Sequence, residues 1–256
     1  MLSVMALLAI TAGAPIVHRP TDPIERGFLL KSLRHNDADH RYVLYVPHDY
    51  DPARKWPTIV FLHGMGECGT DGLKQVGQGI GTAIMANAAK WPFIVVMPQK
   101  PDPRHAWGEH AEMVAAMLDA TAAHYAVDPD RVYLTGLSQG GNGTWAIAAR
   151  WPERWAAIAP ICGYGNPEEF APKLKSMPIW CFHGEADPVV PSARSVAIVD
   201  AIKAQGGSPR LTLYPGVGHN AWDKAYRDEP LAAWFLEHRR NADRPPAEGA
   251  KPSDRR

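Results

Sequence analysis

LTGLSQGGNGTW, residues 134–145, sets Gly136, Gly140, Gly141 and Gly143 around one serine, Ser138. Glycine is costly inside a helix or a strand, so such a run marks backbone that must turn sharply or pass close to a neighbour. RVYLTG (131–136) before it is a short strand-like run, and TWAIAARW (144–151) after it has helical composition. Gly136-Leu137-Ser138-Gln139-Gly140 is therefore a G-x-S-x-G sequence between an expected strand and an expected helix. In that setting a serine sits on a strained turn with its hydroxyl exposed. The alternative is a tight turn whose serine only caps the helix.

Working outward, RYVLYVP (41–47) alternates as a half-buried strand does. TIVFLHG (58–64), FIVVMPQ (93–99), WAAIAPICG (155–163), PIWCFHG (178–184) and RLTLYPG (210–216) read as further strands, the continuous apolar runs among them as buried ones. Helical patterns fall between them: TAIMANAAKW, residues 109–125, SARSVAIVDAIKAQGG (192–207) and EPLAAWFLEHRR (229–240). This alternation predicts one α/β domain over residues 25–240, with a mostly parallel central sheet and helices on both faces. Ligands of such sheets gather at the carboxyl ends of the strands. The segments there (HGMGECGTD, PQKPDPRHAW, GLSQGG, CGYGN, HGEADPVVP and GVGHNAWD) are rich in glycine and polar groups.

A serine hydroxyl needs a base to take its proton. In folds of this kind the order along the chain is Ser, then Asp or Glu, then His. Asp187 in HGEADPVVP and His219 in GVGHNAWD follow Ser138 in that order, each just past a strand. His219 is the expected general base and acid, and Asp187 the residue that orients its ring. Glu185 competes with Asp187, and Asp223 is expected to cap a helix. Acyl transfer also needs backbone donors for an oxyanion. The expected ones are the N–H of Gln139, directly after the serine, and the N–H of Met65, between Gly64 and Gly66. His63 is expected to act as a structural hydrogen-bonder. Trp107 and Trp222, in loops on the same face, either wall a substrate or pack. Glu67 and Asp71 brace their loop or form a two-carboxylate metal site, for which a third ligand is missing, so no metal and no cofactor are expected.

FLHGMGECGTD, DRVYLTGLSQGGNGTWAIAARWPERWAAIAPICG, HGEADPVVP and GVGHNAWD together resemble the α/β-hydrolase superfamily. The closer likeness is to its predicted-peptidase and carboxylesterase branch, related to dienelactone-hydrolase and polyhydroxybutyrate-depolymerase-like esterases. The resemblance covers roughly residues 40–240. It implies the α/β-hydrolase fold and a Ser138–Asp187–His219 triad that needs no cofactor. Cys68 departs from it, since a polar residue, often arginine, is expected there. The resemblance leaves the substrate open. Ester hydrolysis is favoured, because the peptidases it points to screen peptides with a propeller domain for which this chain has no room. A peptidase or acyltransferase would use the same triad, and a non-catalytic binding protein on the same scaffold would be expected to lose one of its members. Only Gly163 to Met177 separates two strands where lid domains commonly enter, so a loop and an open site are expected there. Such a site suits short-chain or bulky esters, with acetyl, feruloyl or polysaccharide-attached groups.

The charge balance, 27 Lys+Arg against 27 Asp+Glu, offers no footprint for nucleic acid or an anionic membrane. The three cysteines, Cys68, Cys162 and Cys181, are too few for a disulfide framework. They read as buried thiols, or Cys162 with Cys181 as one bridge in an exported protein. Residues 1–14 form an apolar run closing on Ala12-Gly13-Ala14, as a signal peptide does, although no Lys or Arg precedes it. Export is the expectation, and a cytoplasmic protein with a buried first segment the alternative. The run is too short to span a bilayer. Residues 241–256 are polar and proline-rich and are expected to form a disordered tail.

Overall fold

The structure, a computed structural model, describes residues 24–240; the expected signal peptide and the polar tail lie outside the described residues. Eight strands form one sheet in the order β1-β2-β4-β3-β5-β6-β7-β8. They are β1 (Gly27–His35), β2 (Ala38–Val46), β3 (Trp56–Leu62), β4 (Ile94–Pro98), β5 (Val127–Leu137), β6 (Ala157–Ile161), β7 (Trp180–Gly184) and β8 (Arg210–Tyr214). β2 runs antiparallel to both β1 and β4, and the rest are parallel.

Side chains alternate across the sheet, as the two-residue period of a strand requires. Val60 and Leu62 of β3 point into one core, with α2 (Ala111–His124), α3 (Gln139–Arg150), α4 (Pro167–Leu174) and α5 (Ala193–Ala204). Ile59 and Phe61 point into the other, with α1 (Ile80–Ala86), α6 (Trp222–Arg227) and α7 (Leu231–Leu236). This is the expected single α/β domain with helices on both faces.

Three details differ from the sequence reading. β1 was not expected: it is an edge strand carrying Lys31 and Arg34, joined to β2 through Asn36 and Asp37, both at positive φ. The stretch 163–177 is not a plain loop but carries α4, whose Asn166 side chain accepts from the Glu168 amide. The last helical stretch is shorter than expected, with α7 ending at Leu236 and α6 preceding it.

Candidate active site

The turn after β5 supplies the serine. Ser138 has φ 55° and ψ −116°, backbone that a residue with a side chain adopts only under strain. Its amide donates to Ile161 O at 2.9 Å, pinning the turn to the end of β6. The flanking glycines answer to close approach. A Cβ at Gly140 would lie 1.9 Å from Leu62 O, and one at Gly136 2.5 Å from Gly140 O. No side chain fits at either position.

Two neighbouring loops bring the partners. The Glu185 amide donates to Tyr214 O and the Ala186 amide to Val217 O, each at 3.0 Å. The loop after β7 is thus tied along the loop after β8, and Asp187 comes to lie beside His219. Oδ1 of Asp187 accepts from the Val189 and Val190 amides at 2.8 and 2.9 Å. Oδ2 accepts from Nδ1 of His219 at 2.7 Å, and Nε2 of His219 accepts from the Ser138 hydroxyl at 2.9 Å. Burial pushes the Asp187 carboxyl up, but the bonds from His219 and the two amides outweigh it, and the pKa lies below the usual range. Asp187 is buried and the His219 side chain is 19% exposed, so the carboxylate is shielded while the imidazole faces solvent. The Cys162 thiol donates to His219 O at 3.2 Å, and Trp222 stands edge-on to the His219 ring at 5.2 Å. Glu185 is exposed in the same loop.

Met65 and Gln139 each open a helical turn. Their N–H groups have no intrahelical acceptor and are available to an oxygen outside the helix. The Met65 loop is braced from several sides. Gly64 N donates to the Glu67 carboxylate at 3.0 Å. His63 is buried, with Nδ1–H donating to Gly64 O at 2.6 Å and Nε2 accepting from the Lys100 amide at 2.9 Å. Burial lowers the His63 pKa to about 4, so the ring is neutral in that tautomer. Asp71 accepts from the Leu73 and Lys74 amides at 2.7 and 3.0 Å. Glu67 and Asp71 are thus both engaged with backbone, as the bracing alternative has it.

Trp107 is a correction. It is fully buried, with its indole N–H on His63 O at 3.0 Å, so it cannot wall a substrate. The cause is Gly143, where a Cβ would come within 2.4 Å of the Trp107 Cβ; lacking one, α3 lets the indole pack underneath. Trp222 is half-buried, held by Gln78 Oε1 at 3.3 Å. The three cysteines are free thiols.

Two residues of the site went unassigned in the sequence. Lys100 is fully buried, and its ammonium donates to Gln139 Oε1 and Asp102 O at 3.0 Å and to His105 O. This ties the loop after β4 to the residue that follows the serine. His183, directly before Gly184, sits against Asp187. A lysine and a histidine among apolar strand ends, in PQK and FHG, are the signals that were available.

Residues 95–233 match the dienelactone hydrolase family. The chain is 26% identical over 226 residues to feruloyl esterase B of Neurospora crassa, covering 78% of this chain and 70% of that protein. It is 31% identical over 196 residues to poly(3-hydroxyalkanoate) depolymerase C of Paucimonas lemoignei, covering 71% of this chain and 45% of the depolymerase. Among solved structures, a thermostable esterase superposes with a TM-score of 0.77 at 33% identity, covering 83% of this chain and 63% of that one. The chain thus spans less than two thirds of the depolymerase and of the thermostable esterase. With its eight-stranded sheet and its serine on the turn after β5, the chain belongs to the dienelactone hydrolase family of α/β-hydrolases.

Proposed function

We propose that the protein is a serine esterase that hydrolyses carboxylic esters through an acyl-enzyme on Ser138. The observation that carries this reading is the continuous line of hydrogen bonds from Ser138 Oγ through His219 to a buried, ionised Asp187, with the serine on strained backbone. His219 Nε2 takes the hydroxyl proton as Oγ attacks the ester carbonyl. The oxyanion that forms is met by the amides of Met65 and Gln139, each worth roughly 100- to 1,000-fold in rate. His219 then gives the proton to the leaving alcohol. Water enters with His219 as base, and the acid leaves. Asp187 stays ionised and holds the ring in the required tautomer.

The substrate class we read is a short-chain or bulky ester of the acetyl or feruloyl kind, including groups attached to a polysaccharide. Relatives named feruloyl esterase and poly(3-hydroxyalkanoate) depolymerase favour an ester over a peptide. Met65 and Val189, 59% and 64% exposed, stand on the loops that carry the oxyanion amide and the acid, and make an apolar rim for an acyl or aryl group. Trp222 beside His219 extends that rim.

The test is hydrolysis of p-nitrophenyl esters from acetate to decanoate by the wild type and by Ser138→Ala. Activity should peak on short chains and fall by at least about 10⁴-fold in the variant, with thermal unfolding unchanged. A folded Ser138→Ala protein that keeps near-native rates would refute the assignment.

A further inference from the structure

His183, on β7, has no part in the steps above, yet it touches the acid. Its ring and the Ser195 side chain on α5 are both fully buried. Nε2 of His183 lies 2.8 Å from Val190 O and 3.2 Å from Asp187 Oδ2. Neither oxygen has a hydrogen to give, so Nε2 must carry the proton; the N–H bonds Val190 O and stands at ion-pair distance from Asp187 Oδ2. Nδ1 lies 2.7 Å from Ser195 Oγ and accepts that hydroxyl. The longer approach of Ser195 Oγ to Gly163 O, 3.2 Å, is then secondary. Burial keeps the His183 pKa below its ordinary value, in agreement with a neutral ring of this tautomer.

A carboxylate has about four acceptor positions. Asp187 meets Val189 N and Val190 N at Oδ1, and His219 and His183 at Oδ2. His219 moves a proton during the reaction, whereas His183 is locked from behind by α5. We propose that His183 is the positioning residue of the acid. Its Nε2–H, anchored through Ser195, fixes the oxygen that orients His219 and takes a share of that oxygen's negative charge. The proposal rests on the esterase reading above.

Its test uses the whole protein and the variants His183→Leu, His183→Gln and Ser195→Ala. Leucine fills much of the volume without a donor, and glutamine keeps an N–H near the place of Nε2. The measurements are the pH profile of kcat/KM on p-nitrophenyl acetate, kcat and KM at the plateau, and the rate of labelling by a fluorophosphonate probe. The titratable groups around His183 are Asp187 and His219 from the two loops, Cys181 on β7 and Cys162 after β6. Burial pushes both thiols up to about 12, so they stay neutral throughout the profile.

With His183→Leu, plateau kcat and the labelling rate should fall roughly 10- to 100-fold, by analogy with partners that orient a metal-bound histidine, with KM little changed. The acid limb should move to higher pH by about half a unit, because the charge on Oδ2 then falls on His219 alone. His183→Gln should recover most of the rate and return the limb, and Ser195→Ala should fall between. A folded His183→Leu protein with wild-type plateau and limb would overturn the proposal. So would equal losses in Leu and Gln with the limb unmoved, since that is packing alone. Should His183→Leu not fold, Ser195→Ala decides by the same readouts, an unmoved limb and plateau overturning the proposal. Failure of the esterase reading looks different: wild type and Ser138→Ala would then be equally slow toward ester and probe, and both readings would fall.

Discussion

His63 shows how a single side chain can tie stability to pH close to Ser138. Its ring is an acceptor for the Lys100 amide and a donor to Gly64 O, an arrangement open only to the neutral form. Adding a proton to Nε2 would set N–H against N–H in a buried place. The pKa is accordingly lowered from 6.5 to about 4, burial being the main cause. Between those values the unfolded chain binds the proton and the folded one does not, so stability is intact above about 6.5 and is lost as pH falls towards 4. The loss attributable to this ring is on the order of 3 kcal/mol. Thermal unfolding followed from pH 7 to pH 4 should show it, and His63→Gln should flatten that slope; an equally steep slope in the variant would assign the acid sensitivity elsewhere. At this scale the sequence is readable where chemistry repeats in a known order. Ser138, Asp187 and His219 could each be named because a strand end and a glycine-bearing loop mark them. Lys100, His183 and the burial of Trp107 could not, because their roles depend on what packs behind them. A lysine in PQK has no sequence sign that its three donors will all find acceptors in the dark of the loop.

The turn joining β5 to α3 is the element on which the site depends, and it was legible because its glycines fall between a strand-like run and a helical one. Gly140 faces Leu62 O at a distance no Cβ could keep. Gly140→Ala should therefore push β3 and the serine turn apart, costing about 3 kcal/mol or more in a core that cannot relax, with ester hydrolysis lost alongside. Gly66→Ala, where nothing lies within 4 Å of the added atom, should be tolerated and serves as the control. A Gly140→Ala protein with wild-type Tm and rate would mean the turn is looser than its contacts imply. The buried parallel strands were legible for a similar reason, since continuous apolar runs such as TIVFL have few other uses. β1 was not. Three of its nine residues are exposed, none is fully buried and it has a neighbour on one side only, so neither a full apolar run nor a strict alternation marks it. The one available sign was Asn36-Asp37, whose positive φ values suit a tight hairpin turn. α4 was hidden too, because a helix of eight residues containing Pro172 has little periodicity to read.

Across the whole molecule the question is whether anything covers the serine. The segment between β6 and β7 is where a cover would be built, and its helix α4 faces inward instead. Phe170, Ala171 and Leu174 are buried in the core shared with α3 and α5. The start of the segment is fastened as well, with the Asn142 side chain donating to Tyr164 O at 2.8 Å. Lifting α4 off the core would expose those three side chains, and burying one large apolar side chain is worth about 1.5–3 kcal/mol. α4 is therefore part of the body and not a hinged flap. The cleft beside Gln139, lined by Pro103, Ala106, Asn142 and Tyr164, stays open to one side. A lidded enzyme gains activity when substrate passes its solubility limit and an interface draws the lid aside. Here the rate on a short-chain triglyceride should follow simple saturation through that limit, with no jump as droplets appear. The measurement is initial rate against concentration across the limit, with detergent as a second interface. A several-fold rise at the onset of droplets would mean that some segment closes over Ser138 in solution, and the first to suspect would be the apolar-tipped loops at Met65 and Val189.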